Sequence, residues 1–416
     1  MKVKFAPTNL FTQLTVTKVI LGIVLFAVWG VFLWRAIIVF APDSDYVYFN
    51  SDGAIPILMA KDQRPITVFD TYYYGSDRWG AWPLLIARLI NHQTHYRWSD
   101  KSIHAFRVAW LFLGVLVLAL LNRGASFQVV LICLATICLH DLIRLRLFDI
   151  SQVYTWQIPP LLIGWYSLRR FFDPDNDGKG DKSRVKWALL LYFSSLLSIW
   201  RSVASGPFLC FLAGLEAVRA HLKTAKEPRA RHLTVRRYVL GFILVIASVF
   251  SELLLRWNYH RHGLKHFGND FKTLVAFDLG YLTTNLEIQL RSYSFFTWWP
   301  WTLLPLLAVI ALVGSYLYYS LKGRREVLQR IRDAWISDDA IMVIGLWGVA
   351  VINFVLIVLV NHVRLNLYDN RFATLTFLFG SISGLLTLFI LLKFITERTG
   401  IRSYSVTLLT IAGFLY

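Results

Sequence analysis

Apolar residues in this chain mostly do not follow a helical or strand period; they bunch. Runs near twenty residues recur at roughly 18–40, 103–121, 126–143, 151–168, 185–200, 203–220, 237–256, 298–320, 340–361, 372–393 and 403–416. A helix of about 20 apolar residues crosses the hydrocarbon core of a bilayer. The pattern therefore predicts an all-α, polytopic integral membrane protein of about 11 transmembrane helices, with residues 1–416 forming a single membrane-embedded domain. The first run is too long for a cleaved leader and lacks a small-residue cleavage site, so it reads as a retained anchor. The fifth and sixth runs are short, and read either as two spans or as one broken pair.

Connections between the runs are mostly short. Two are long, residues 41–102 and 257–297, and long loops on one face of a compact membrane protein tend to be functional. The first contains two further apolar stretches, Ile55–Ala60 and Trp79–Ile90. Both are too short to span, which predicts two helices on the membrane surface, near 52–62 and 79–91.

Composition sharpens this picture. Of 416 residues, 56% are hydrophobic and only 16% charged, with a mean hydropathy of +0.52, which excludes an ordinary soluble domain. Lysine and arginine decide the orientation. With the N-terminus in the cytoplasm, the more basic connections face inward and both long loops face outward. The net charge of +18 then has a membrane explanation, because segments such as "HLKTAKEPRARHLTVRR" (His221–Arg237) face anionic lipid. No nucleic-acid partner is expected. Cys133, Cys138 and Cys210 all fall in apolar runs and read as packing residues rather than disulfides or metal ligands.

Candidate chemistry gathers on the outward side. "FNSDGAIPILMAKD" puts Asp52 at the head of the first surface helix, where a carboxylate suits either a helix N-cap or a general base. "RLRLFDISQVYTW" places Arg144, Arg146 and Asp149 at an outer membrane edge, where snorkelling arginines and an anion site are both consistent. "VFDTYYYGSDRW" offers Tyr74, Asp77 and Arg78. "RWNYHRHGLKHFGND" packs His260, His262, His266, Arg256, Arg261 and Lys265 into one segment, at a spacing that matches no zinc signature. "NHVRLNLYDNRFATL" adds Arg364 and Arg371, beside an interfacial Tyr368. Glu252 and Asp141 lie within or near the ends of apolar runs, where a carboxylate is a functional candidate by default. "DPDNDGKGDKSR" (Asp173–Arg184) approaches a calcium-loop pattern, yet Arg184 stands where the bidentate glutamate belongs, so it reads as a polar cytoplasmic connector.

The order of these features resembles the polytopic GT-C glycosyltransferases, the group containing protein O-mannosyltransferases and the lipid A aminoarabinose transferases. The resemblance rests on a first span, then "NSDGAIPILMAKD", "YYYGSDRWGAWPLLIARLI", the Arg107-bearing run "SDKSIHAFRVAWLFLGVLVLALL", and "RLRLFDISQVYTW". It covers residues 18–220 by spacing and short motifs, and the remainder by layout alone. It implies a glycosyltransferase in the inner (plasma) membrane, with the active site on the non-cytoplasmic face. The enzyme would move a hexosyl or pentosyl sugar, with inversion, from a polyprenyl-phosphate donor to a hydroxyl of a lipid-linked or cell-envelope glycan acceptor. Asp52 and Asp149 would be the catalytic carboxylates. Arg144, Arg146, Lys265, Arg364 and Arg371 would bind the donor phosphate. Tyr74, Asp77, Arg78, His260 and His262 would meet acceptor or sugar. Many members carry paired acidic residues at the first site, but here Gly53 follows Asp52. No metal site is therefore assigned, and a divalent cation stays an open option. The competing functional class is a transporter or flippase of a lipid-linked saccharide. That class calls for broken helices in two symmetric halves, and the sequence shows no such symmetry. A non-catalytic scaffold sharing the fold is a third class.

Overall fold

The computed structural model describes residues 58–62, 64–72, 80–94, 100–122, 126–139, 154–173, 181–224, 228–262, 280, 282–284, 286–287, 293–359 and 374–396. Its named helices are α1 (Trp82–Thr94), α2 (Asp100–Leu121), α3 (Ser126–Leu139), α4 (Tyr154–Phe172), α5 (Asp181–Arg201), α6 (Ser205–Thr224), α7 (Pro228–Arg261), α8 (Tyr293–Leu321), α9 (Arg325–Trp335), α10 (Asp338–Leu359) and α11 (Thr374–Thr396). A 3-10 turn covers Val68–Asp70, and residues 58–61 are helical. No strand occurs among the described residues; the sole extended feature is an isolated bridge between Tyr72 and Gly80.

Helices α2 to α8, α10 and α11 coincide with nine of the predicted apolar runs; the runs at 18–40 and 403–416 lie outside the described residues. Among the described residues, four segments are long and apolar enough to cross a membrane: Val235–Arg261, Leu303–Leu321, Asp338–Leu359 and Thr374–Lys393. The protein is thus an all-α membrane protein. Of the two short stretches expected to be helical, α1 covers the second and residues 58–61 fall within the first.

Helix α4 is the hub, packing against α2, α5, α6 and α7, while α10, α11 and α8 form a second group joined to the first through α6–α10 and α3–α11 contacts. One continuous apolar core runs through both groups, including Trp165, Phe208, Leu212, Leu346 and Phe379. Close approach of α10 depends on Gly345: a Cβ there would lie within the ring of Trp165, so the two helices meet only because that side chain is absent.

Pro159 and Pro160 sit inside α4. Pro160 has no N–H to offer the Trp156 carbonyl one turn back, and Trp110 Nε1 on α2 fills that vacancy at 3.1 Å. The break in backbone bonding therefore becomes a link between helices. Helix α7 is longer than its predicted run of 237–256. Its 27-residue apolar part, Val235–Arg261, is about 40 Å long at 1.5 Å per residue, so its end outruns a 30 Å hydrocarbon core. That overhang carries Arg256, Tyr259, His260 and Arg261.

Cys133 is buried in the core and Cys210 half-buried, both as free thiols, which agrees with a packing role. Cys138 lies on α3, and its side chain is outside the description. Of the near-calcium motif, residues 174–180 lie outside the described residues. Asp173 pairs with Arg170 at 3.8 Å, and Arg184 lies within α5.

Candidate functional site

The loop that follows residues 58–61 is fixed onto the helix ends by its own polar groups. Asp62 and the exposed Arg64 form a bidentate pair, with Nη2–Oδ2 at 2.7 Å. Thr67 and Asp70 make a capping box around the 3-10 turn: the Thr67 N–H donates to Asp70 Oδ2 at 2.7 Å and the hydroxyl at 3.0 Å. Arg88, fully buried on α1, reaches Asp70 Oδ1 at 2.8 Å and also donates to the Arg64 carbonyl. Burial pushes the Asp70 carboxyl up, but the Thr67 hydrogen bonds and the Arg88 cation outweigh it, leaving Asp70 below its ordinary value. Beneath the loop, Met59, Ala60, Ala81, Leu84, Ala87 and Ile103 form a small core separate from the main one.

Next along the chain, Thr71 and Tyr72 enter the helix bundle. The Trp200 indole of α5 donates to the Thr71 carbonyl at 3.1 Å, as does the Ala81 N–H at 3.0 Å. Gly80 N–H donates to the Trp200 carbonyl at 2.8 Å, and Arg201 Nη1 to the Gly80 carbonyl at 2.6 Å. A Cβ on Gly80 would collide with both the backbone and the ring of Trp200. Trp82 extends the seam: its Nε1 donates to the Leu197 carbonyl at 2.9 Å while its ring meets Trp110 edge-on.

The buried Tyr72 phenol donates to Glu252 Oε1 at 3.2 Å. Glu252, 1% exposed on α7, also accepts from Arg256 Nε and Nη2 at 3.0 and 2.7 Å. The Tyr72 ring packs on Tyr259 at 5.0 Å, and the Arg256 guanidinium lies 5.9 Å above it. Burial first, and then the neighbouring Glu252 carboxylate, raise the Tyr72 phenol above its ordinary value, so it remains a donor. Deeper at the same end, Arg107 donates to Thr155 Oγ1 at 2.7 Å, and Gln157 to Ser205 Oγ at 2.6 Å, which Ser198 also reaches at 2.7 Å. Arg107 and Arg201 are each 1% exposed. This end of the bundle thus gathers buried guanidinium groups, a buried carboxylate, tyrosines and a docked loop. Each of these guanidinium groups has a partner in the protein, so the set ties the loop to the helix ends.

Of the residues singled out from the sequence, Asp52, Tyr74, Asp77, Arg78, Arg144, Arg146, Asp149, Lys265, Arg364 and Arg371 lie outside the described residues, as do Asp141 and Tyr368. His260 is half-buried with its ring against Tyr259 at 5.8 Å. His262 is exposed; its Nδ1 lies 2.8 Å from the Asn258 carbonyl and its ring 6.5 Å from Phe69. His260 lies one turn beyond Arg256 and two beyond Glu252, and His262 directly follows the end of α7. Among the described residues, no three His, Cys, Asp or Glu side chains converge as a metal site would require. Sequence reasoning picked out Glu252, noted Asp70 only as one of the loop's ionisable residues, and missed Tyr72, Arg88 and Arg201, whose partners are remote in sequence.

The opposite end holds a second charged group. Arg169 Nε and the Trp165 indole both donate to Glu216 Oε1 at 2.8 Å, and Arg219 reaches Glu216 Oε2 at 3.2 Å. Arg219 also pairs with Asp338, Arg169 Nη1 lies 3.7 Å from that carboxylate, and Asn122 donates to Asp339. This clasp ties α2, α4, α6 and α10 together. Glu216 and Arg219, inside the run 203–220, were its available signal.

No family model, no curated protein and no solved structure matches this chain.

Proposed function

We propose that the protein is a membrane glycosyltransferase of GT-C type with about 11 spans, working on the non-cytoplasmic side. It transfers a sugar from a polyprenyl-phosphate donor to a hydroxyl of a glycan or lipid-linked acceptor. The supporting observation is where charge sits. Among the described helices, ionisable side chains collect at the two bundle ends, and the one end that also carries a docked loop is the end facing outward on the positive-inside reading. A transporter would place polar groups at the membrane midplane, between broken helices of two matching halves.

In this reading the acceptor oxygen attacks the anomeric carbon as the bond from that carbon to the phosphate oxygen breaks. The departing polyprenyl phosphate takes the electron pair, and the hydroxyl proton passes to the Asp52 carboxylate, with Asp149 as the second carboxylate. Negative charge grows on the leaving phosphate and calls for arginine. Arg144, Arg146, Lys265, Arg364 and Arg371 are assigned that work, and the buried Arg107 and Arg201 stand at the same end. Tyr74, Asp77, Arg78, His260 and His262 are assigned to the sugar and acceptor.

The test is turnover of purified protein in liposomes supplied with a panel of polyprenyl-phosphate sugars. Release of polyprenyl phosphate with one sugar of the panel supports the proposal. Donor flipping between leaflets with no cleavage would assign the protein to the transporter class instead.

A further inference from the structure

At the clasp end, a cavity of about 280 Å³ lies between the end of α4, the start of α5 and the start of α7. Three arginines line it: Arg184 from α5, and Arg236 and Arg237 from α7. Its remaining wall is apolar, with Phe171, Val185 and Leu240. Arg237 is buried and Arg236 exposed, so the charge grades from the floor to the mouth.

Position along the helices gives the cavity its depth. Val235 opens the apolar segment of α7, so Arg236 and Arg237 stand at the very start of a membrane-length stretch. On α5, Arg184 directly precedes the predicted run at 185–200. Trp187 lies one turn beyond Arg184. Arg170 stacks over its ring at 5.7 Å and Lys186 at 5.4 Å, which is the pairing of aromatic and cation found at the headgroup level. Below the arginines, Val185, Leu189, Val239, Leu240 and Ile243 are exposed large hydrophobics on the same two helices. They present a surface that suits acyl chains.

We propose that this cavity seats the phosphate headgroup of an anionic phospholipid, with the lipid's chains lying along α5 and α7. Three arginines on one cavity wall suit a phosphate in charge, and the apolar wall matches the chain side of a lipid better than it matches a free ion. The proposal stands on the membrane placement of the helices and is independent of the sugar chemistry at the other end. It gives the basic His221–Arg237 segment a fixed lipid partner in addition to its general attraction to the membrane surface.

The experiment places the full-length protein in nanodiscs of phosphatidylcholine containing a minority of phosphatidylglycerol. Lipids that stay with the protein on release are then counted by native mass spectrometry. Wild type is expected to retain phosphatidylglycerol well above its share of the bilayer. Arg236 is exposed, so R236Q should fold as wild type does, which an unchanged thermal midpoint confirms. It should lower the enrichment about 5-fold, the scale of one surface cation near anionic lipid. L240W keeps every charge but fills the cavity, and should also lose the enrichment. K322Q, at a cation that follows the end of α8 and does not line the cavity, should keep it. Equal retention of the two lipids by wild type overturns the proposal. So does enrichment that survives both R236Q and L240W, which would mark a diffuse basic surface. Displacement of the lipid by inorganic phosphate at matched concentration also overturns it, as a free-anion site.

Discussion

At the clasp end, Arg169 and Arg219 meet Glu216 and Asp338, and every group in the network lies in a helix or directly adjoins one. At the loop end, by contrast, Arg201 donates to a loop carbonyl, Arg107 to a hydroxyl, Arg88 spans from α1 to Asp70, and Tyr72 carries the loop to Glu252. The first arrangement is a set of opposite charges closing on each other within apolar surroundings. Its contribution is to hold four helices in register. The second spends its polar groups on mounting a loop over helix ends. Its product is a loop held over the helix ends at fixed points.

This contrast predicts unequal responses to mutation. Removing Glu216 leaves the buried Arg169 and the half-buried Arg219 with only the partly exposed Asp338 between them. Glu216→Ala should therefore cost about 3–5 kcal/mol, the scale for breaking a buried ion pair from one side. Thermal unfolding in detergent, followed by intrinsic fluorescence, would show it; a midpoint equal to wild type would mean the clasp is not a stabilising unit. Glu252→Gln keeps an acceptor for Tyr72 and faces a partly exposed Arg256, so about 1–3 kcal/mol is expected from the same assay. If Glu252→Gln proves the more damaging of the two, the roles of the two ends are reversed.

Gly80→Ala sharpens the loop end alone. The added Cβ meets the Trp200 backbone, which no rotamer change can relieve, so overpacking of about 1–3 kcal/mol is expected. Protease cleavage within 73–79 should speed up while the main transition moves less. The smallest effect is that of acid on Asp70. Its folded value lies below that of the unfolded chain, so it contributes stability fully present above the unfolded carboxylate range near 3.9 and lost as pH falls through the folded value. Asp70→Asn should erase that acid-sensitive step in loop protection; an unchanged pH profile in the variant would remove Asp70 from the mounting.

The helices were legible because membrane-length apolar runs and short surface stretches differ plainly in length. Boundaries slipped where polar ends extend beyond the apolar part, as in α7, which begins at Pro228 and ends at Arg261. Pairings were not legible. Nothing local to Tyr72 points to Glu252, 180 residues away, and nothing in "LLIARLI" says that Arg88 turns back to Asp70. Those partners are set by how α1 and α7 meet, which is a property of packing. Glu252 and Glu216 were detectable because a carboxylate in an apolar run needs a partner whatever the fold. The predicted catalytic carboxylates lie in segments outside the described residues, so their assignment still stands on the sequence alone.

The most direct test of the account is therefore Asp52→Asn. The amide keeps the shape and the capping ability of the carboxylate and removes its basicity. Measured in liposomes with the polyprenyl-phosphate sugar that wild type turns over, the variant should fold, keep its affinity for the donor, and lose about 10²–10⁴-fold in rate, the usual scale for a general base. A folded Asp52→Asn protein that turns over at the wild-type rate would contradict the account and leave Asp52 as a helix cap.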